Sequence, residues 1–385
     1  MPDAAPLTEA ALGLLPLLRA EAAGMEAQRR LSAPVLDALD ALGAFHLQLD
    51  PRYGGPGADT LAYLQVIETL CRGDASSGWC AMVGSESSAC LNAWFSADTV
   101  RDMLGTGPLA RVALSAVGRG PAVICAGGHR VSGRWRFTSG CRHSQWLGAL
   151  TVVHDDVTPR STPQGAPQMR IVFVPTSAAT LHDTWQTSGL RGTASDEFEL
   201  ADVFVPAAHG FDFGAPPLDP APGWRVPLGL RLAMSKAAAV LGMAQGALDA
   251  LPPLLERTPF AGAAPARDEP RTQAGLAEAT AEVEAGRAYL QREVAAFCAL
   301  VEAGGAPDAA ARARTRLAIV HAARAALRAV DLARTLAGTG AVFDAGLDRA
   351  ARDLAVARHH VQLQAHVMED IGRVMLGQAA RNPLF

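Results

Sequence analysis

Val131-Ser132-Gly133-Arg134-Trp135-Arg136-Phe137-Thr138-Ser139-Gly140 is where the apolar pattern of this chain changes period, and that change decides the fold. Val131, Gly133, Trp135, Phe137 and Ser139 fall on one side of an extended chain, with Ser132, Arg134, Arg136 and Thr138 on the other. A half-buried strand needs such alternation, because successive side chains point to opposite faces. The signal continues in the apolar runs Leu147 to Val153, Arg170 to Val174 and Phe198 to Val205, which Pro, Gly and Asp separate. The zone from about Arg111 to Gly214 is therefore predicted to be a compact antiparallel β domain.

On both sides the period is helical. Upstream, Val35, Leu39 and Leu42 and then Leu61, Leu64, Ile67 and Leu70 recur at helical spacing. Between them Pro51-Arg52-Tyr53-Gly54-Gly55-Pro56-Gly57 breaks any regular element and predicts a loop. Downstream, from about Pro227 to Gly377, four long helical patterns return. Leu276, Val283, Leu290, Val294, Phe297 and Val301 form one stripe, and Leu317, Val320, Leu327 and Val330 another. Turns at Gly304-Gly305-Ala306-Pro307 and from Gly338 to Gly346 predict antiparallel packing as a bundle. The fold class is α+β, with an N-terminal helical domain over 1–110, a middle β domain over 111–214 and a C-terminal helical bundle over 215–385.

Composition narrows the function. The 385 residues carry Lys+Arg 34 against Asp+Glu 38, a net charge of −4 without a basic run, which argues against a nucleic-acid partner and for a small molecule. Cys71, Cys80, Cys90, Cys125, Cys141 and Cys298 form no C-x-x-C pair and read as reduced core thiols of a cytoplasmic protein, with no metal site and no disulfide frame. The first thirty residues carry Asp3, Glu9, Glu21 and Glu26 and no basic n-region, so they do not read as a signal peptide. The richest apolar stretch, Leu228 to Leu255, is interrupted by Arg231, Lys236 and Asp249, which argues against a membrane span. Lys236 is the only lysine, so a lysine-dependent step could use no other residue.

Several segments carry chemistry. Ser139 ends an aromatic-bearing strand, followed by a turn with His143. A flat redox ring could stack near Trp135 or Phe137 while Ser139 bonds a ring heteroatom; the alternative is an ordinary strand ending in a turn. Gly189-Leu190-Arg191-Gly192-Thr193-Ala194-Ser195 combines glycines, hydroxyls and an arginine, so its backbone could approach an anionic ligand, or Arg191 could close a corner of the β domain. Around His360, Val356, Leu363, Val367 and Ile371 share one helical face, which would turn this imidazole into an apolar stripe.

These residues together resemble the acyl-CoA dehydrogenase superfamily, and within it the oxygenase subunits of flavin-dependent two-component monooxygenases. The resemblance rests on Gly43-Ala44-Phe45 leading into Pro51 to Gly57, the Trp135 to Trp146 strand and turn, Gly189 to Ser195 with Asp202-Val203-Phe204-Val205-Pro206, and Arg352-Asp353 followed by His360. It covers nearly the whole chain in order. It implies a middle β-barrel, a C-terminal four-helix bundle, a homotetramer, and reduced FMN or FAD as cofactor, delivered by a separate flavin reductase. Oxygen would be activated as a C4a-hydroperoxyflavin and transferred to a small aromatic or heteroaromatic substrate.

The resemblance also implies roles. Ser139 falls beside the flavin N5 and O4 edge with Phe137 nearby, and Thr193 and Ser195 lie by the cleft. Arg257 and Phe260 meet the cofactor's pyrophosphate and adenine, and His360 accepts or orients a substrate proton. His143 either fixes its turn or touches substrate. The glutamate base of acyl-CoA dehydrogenases is missing from both of its usual places, Ala357-Arg358-His359-His360-Val361 and Leu228 to Met234. A histidine common in the oxygenase branch is also missing from the run around Val83 to Ser96, leaving Glu86, Ser87, Ser88 and Asn92 as pocket candidates, with Glu86 as a possible base. The rival readings are an FAD dehydrogenase or oxidase, and a flavin-poor scaffold.

Overall fold

The computed structural model describes residues 4–105, 107–258, 264–364 and 367–382. The N-terminal helices are α1 (Ala4–Gly13), α2 (Leu15–Gln28), α3 (Ala33–Leu42), α4 (Thr60–Gly73), α5 (Ala75–Trp94) and α6 (Ala97–Leu104). Short polar residues start the last three: Asp59, Asp74 and Ser96 accept from the backbone N–H groups of Ala62, Ser77 and Thr99. The breaker cluster is a loop opened by a 3-10 turn at Pro51–Tyr53, as its composition predicts.

The strands are β1 (Val112–Ser115), β2 (Val117–Arg119), β3 (Pro121–Cys125), β4 (Gly128–Arg136), β5 (Trp146–Asp155), β6 (Thr158–Pro159), β7 (Met169–Pro175), β8 (Thr180–His182), β9 (Glu197–Pro206) and β10 (Gly210–Asp212). They pair in the order β10-β7-β5-β3-β4-β9-β8, with β1 and β6 on β5 and β2 on β4. The sheet is mixed where an antiparallel one was expected, because β5 runs parallel to both β1 and β3. Alternation in sequence reports which face a residue takes and carries no information on the direction of the neighbouring strand.

A second correction falls at the end of β4. The strand stops at Arg136, and Phe137 takes a left-handed backbone with φ 59°. This turns its ring outward, 57% exposed, and drops Thr138 and Ser139 inward, where strict alternation would have buried Phe137 and exposed Thr138. Trp135, one pleat earlier, is fully buried.

The C-terminal helices are α7 (Leu228–Leu255), α8 (Pro270–Glu302), α9 (Ala309–Ala337), α10 (Gly340–Phe343), α11 (Ala345–Ala357) and α12 (Val367–Met375). Three are long; the fourth expected long helix is broken, and His360 lies in the break between α11 and α12 instead of on a helical face. The predicted stripes are inside: Val283, Leu290, Val294, Phe297 and Val301 of α8 are buried, as are Val320 and Val330 of α9. By length and composition α7 could cross a bilayer, yet 67% of its most apolar window is buried within the fold, as in a core helix.

The two helical units share one core, in which Ile67 and Leu70 of α4 meet Val240 and Leu241 of α7. Their contact is close because Gly242 has no side chain: a Cβ there would stand 2.1 Å from the Glu68 carbonyl oxygen. Helix α5 joins this core to the sheet. Trp79, Ala81 and Met82 pack among the helices, while Leu91 and Phe95 pack against Phe173 and Phe211 of β7 and β10. Residues on the middle turns of α5 therefore face the junction of all three units.

Candidate active site

Three hydroxyls from two segments converge beside the end of β4. Ser139 Oγ lies 2.7 Å from Ser195 Oγ, which lies 2.6 Å from Thr193 Oγ1, and Thr193 donates to the Leu190 carbonyl at 2.8 Å. Each hydroxyl has one proton, so the carbonyl sets the direction of the chain. Thr193 spends its proton on Leu190, Ser195 donates to Thr193, and Ser139 donates to Ser195. Ser139 is left with lone pairs only, and can receive one further hydrogen bond as an acceptor.

The loop carrying Thr193 and Ser195 is held from the C-terminal unit. Leu190 and Ala194 have left-handed backbones, and the Leu190 N–H donates to Asp353 Oδ1 of α11 at 2.5 Å. The approach expected of Gly189 toward an anionic ligand is instead an approach to protein, since a Cβ there would stand 2.1 Å from the Arg352 carbonyl oxygen. Burial, with Asp74 nearby, pushes the Asp353 carboxyl up to about 7. Arg191 points away from the hydroxyls, with Nη1 donating to the Thr187 carbonyl at 2.9 Å and Nε toward that of Glu26 at 3.4 Å.

Across the junction lies a buried ion pair. Lys236 Nζ of α7 donates to both Glu86 oxygens of α5, at 2.7 and 2.5 Å, and Ser235 Oγ donates to Glu86 as well. The chain's only lysine thus meets the carboxylate that stands where the expected histidine is missing. His360 lies nearby: its ring meets Trp79 edge-on at 5.8 Å, and burial together with the Lys236 charge pulls its pKa down to about 3. Nδ1 accepts the Gln362 backbone N–H at 3.3 Å, so the neutral ring carries its proton on Nε2. His143 is held near 3 by burial and by Arg111, and its ring tilts against Phe45 at 5.5 Å.

The remaining candidates separate. Ser87 and Ser88 donate their hydroxyls to the carbonyls of Val83 and Phe45, at 2.7 and 3.1 Å. Asn92 Oδ1 is buried and without a partner. Trp135 is unavailable to a flat ligand, because it stacks on Phe198 at 5.2 Å and donates Nε1 to the Leu150 carbonyl at 2.8 Å. Arg257 is exposed near α10 and has no ion pair among the described residues; Phe260 lies outside the described residues. The residues that sequence reasoning did not bring to the site are Asp353 as a loop anchor, Lys236 as the partner of Glu86, and Trp79. The chain's single lysine pointed to Lys236 without saying what it pairs with, and Arg352-Asp353 carried the family resemblance without a role for Asp353.

Phe137 presents an exposed aromatic face with Trp185 edge-on at 6.0 Å, Ser139 offers an acceptor, and Thr138 Oγ1 beside it is buried with no partner. A planar ring with a hydrogen-bonding edge fits such a donor and acceptor set. Among the described residues no group of three or more His, Cys, Asp or Glu side chains gathers to hold a metal ion.

Comparison with known proteins agrees over most of the chain. Two family models match: "Acyl-CoA dehydrogenase, N-terminal domain" over residues 17–102 and "Acyl-CoA dehydrogenase, C-terminal domain" over 234–365. The chain is 29% identical to the indole-3-acetate monooxygenase of Pseudomonas putida, across 94% of this chain and 91% of the relative. It is 31% identical to the oxygenase component of the FADH2-dependent resorcinol hydroxylase of Rhizobium sp., across 95% and 92%. Among solved structures, the 3-HSA hydroxylase from Rhodococcus sp. superposes with a TM-score of 0.87 at 26% identity, covering 98% of this chain and 99% of that one. With the three-unit fold and a junction fitted to a flavin ring, this chain belongs to the acyl-CoA dehydrogenase superfamily, in its branch of flavin-dependent monooxygenase oxygenase subunits, and is a flavin-dependent oxidoreductase.

Proposed function

We propose that the chain is the oxygenase component of a two-component system that hydroxylates a small aromatic or heteroaromatic substrate, with reduced FMN or FAD supplied by a separate reductase. The observation that carries this is the hydroxyl chain ending at Ser139. When bound, the reduced flavin supplies, with O2, the electrons and the oxygen atom that reach the substrate. Ser139, its own proton committed to Ser195, accepts the N5–H hydrogen bond and so keeps the proton on N5. Phe137 covers the ring, and Arg257 meets the phosphates.

His360 takes a role that differs from the one the family resemblance implies. A neutral imidazole whose Nδ1 is engaged offers Nε2–H, so it orients a substrate oxygen or nitrogen by donating to it. Trp79 and the apolar turns of α5 exclude water around it, and Glu86 and Asn92 border the pocket. His143, also neutral, fixes its turn against Phe45. Dehydrogenation of an acyl-CoA lacks its base: no carboxylate stands at 357–361 or 228–234, and Glu86 is committed to Lys236 and Ser235.

The same reading takes the sheet as a rolled barrel, α7, α8, α9 and α11 as a four-helix bundle, and 1–110, 111–214 and 215–385 as domains. It takes the enzyme as a cytoplasmic homotetramer.

Anaerobic titration with oxidised and reduced FMN and FAD, followed by mixing with oxygen and a panel of phenols and indoles, tests the reading. Preference for reduced flavin and a hydroxylated product are expected. A firmly bound oxidised FAD that an added substrate reduces would replace it with the dehydrogenase reading.

A further inference from the structure

Residues 213–227, which lead from β10 to α7, run as a strap over a cleft lined by Tyr63, Glu86, Cys90, Trp94 and Arg231. Pro216, Pro217, Pro220, Pro222 and Pro227 lie in this segment. Proline has no N–H and a fixed φ, so the strap joins neither the sheet before it nor the helix after it. It also brings little core of its own: Phe213 and Leu218 are exposed. The side chain it turns into the cleft is Trp224, which stacks on the Arg231 guanidinium at 4.1 Å and meets Trp94 edge-on at 6.1 Å. With Trp224 down, the cleft has room for about one water molecule and none for an aromatic ring.

What holds the strap down is polar and replaceable by water. Asp219 pairs with Arg52 of the breaker loop at 3.1 Å, an ion pair whose arginine is half exposed and which therefore contributes little. Trp94 Nε1 donates to the Ala215 carbonyl at 2.9 Å. The N–H groups of Leu218 and Asp219 both donate to the Ala93 carbonyl, at 2.7 and 3.2 Å. Ala93 lies in the last turn of α5, where carbonyls have no helical partner and water can take the place of the strap. The ends are built to bend: Gly214 takes φ +91°, and a Cβ at Gly214 or Gly223 would meet nothing within 4 Å. Beyond them Val226 is buried in the helical core and fixes the strap to α7. Weak latches, a stiff middle and two free hinges are the parts of a lid.

We propose that residues 214–224 are the lid of the substrate cleft, latched by Arg52 and Asp219, and that they lift Trp224 off Arg231 to admit substrate and release product. The proposal rests on the oxygenase reading for what passes through the cleft. Cys90 reports the lid without any substrate, because its buried thiol lines the cleft, while Cys71 and Cys80, buried in the helical core, report loosening of the whole fold. Modification of each thiol by N-ethylmaleimide is followed on the full chain by peptide mass spectrometry. Asp219→Asn breaks the ion pair and keeps the oxygen that accepts the Ala221 N–H; Arg52→Gln breaks it from the other side. Each is expected to speed Cys90 modification about 2- to 5-fold with Cys71 and Cys80 unchanged, and the double variant to be no faster than the singles, since one contact is lost in all three. Joining Arg52→Cys to Asp219→Cys with a short bismaleimide should protect Cys90 and halt hydroxylation of whichever phenol or indole the wild type accepts, while the same two cysteines capped singly do neither.

Equal Cys90 rates in the wild type, the latch variants and the bridged protein overturn the proposal. A rise shared by Cys71 and Cys80 overturns it too, because the fold and not the strap has then opened, and so does undiminished hydroxylation by the bridged protein. Product formation is scored separately. A wild type that hydroxylates none of the phenols and indoles refutes the oxygenase reading and leaves the lid to be decided on Cys90, and hydroxylation with a Cys90 rate that neither latch variant moves does the reverse.

Discussion

Replacing Lys236 by methionine isolates the energetics of the junction. The side chains of Lys236 and Glu86 are only 4% and 13% exposed, so loss of the ammonium leaves a buried carboxylate with Ser235 as its remaining donor. Breaking a buried pair from one side costs about 3–5 kcal/mol, most of it the uncompensated charge. Glu86→Gln should cost a similar amount, because it strands the ammonium. The double variant Glu86→Gln with Lys236→Met removes both charges and should recover most of the loss, ending within about 1–2 kcal/mol of the wild type. The coupling energy of the cycle is then at least about 4 kcal/mol. Reversible urea unfolding followed by circular dichroism measures all four corners. Single variants that each cost under about 1 kcal/mol, or a cycle that closes additively, would refute the claim that this pair is one buried unit.

Three other outcomes follow from the geometry. Ser139→Ala and Ser195→Ala should each uncouple flavin oxidation from product, by about 10-fold or more, the first by removing the acceptor and the second by freeing the Ser139 proton to point elsewhere; coupling unchanged in both would exclude the directed chain. His143 and His360 have folded-state values near 3 against 6.5 unfolded, so the unfolded chain binds their protons first; their stabilising contribution is full above about pH 6.5 and is lost as pH falls toward 3. Each histidine should account for about 2 kcal/mol between pH 7.5 and pH 5, read as the smaller acid loss of His143→Gln and His360→Gln; Asp353, raised to about 7, works in the opposite direction in all three proteins and drops out of the comparison. Asp353→Ala should orphan the Leu190 N–H, cost about 1–3 kcal/mol and weaken flavin binding, while Asp353→Asn, which keeps an acceptor oxygen, should restore much of both; equal behaviour of the two variants would count against the anchor.

The sequence was informative where a pattern repeats. Period two located β4, apolar runs bounded by Pro, Gly and Asp located β5, β7 and β9, and helical spacing located α4, α8 and α9 with buried residues on the expected stripes. It failed where one residue breaks a rule. Phe137 takes a left-handed backbone that no alternation announces, and so faces outward. His360 was read along a helix that ends at Ala357, because Leu363, Val367 and Ile371 keep a helical spacing across the break. Contacts between distant residues were also silent. Ser139 and Ser195 were recognised singly through family resemblance, but their bond joins the segment after β4 to the one before β9, and the Glu86–Lys236 pair joins helices across 150 residues of sequence. Arg231 entered the sequence reading only as a charge unsuited to a membrane, since nothing in one sequence says that it meets Gln48 and Trp224.

The ion pair has a consequence for how this protein can be handled. Its one lysine is 3% exposed, so every cationic side chain on the outside is an arginine or a histidine. Reagents that acylate side-chain amines have no surface lysine to modify, and acetylation or ubiquitination at lysine has none to use. Attachment to a support or a label through lysine would first require the α5–α7 contact to open.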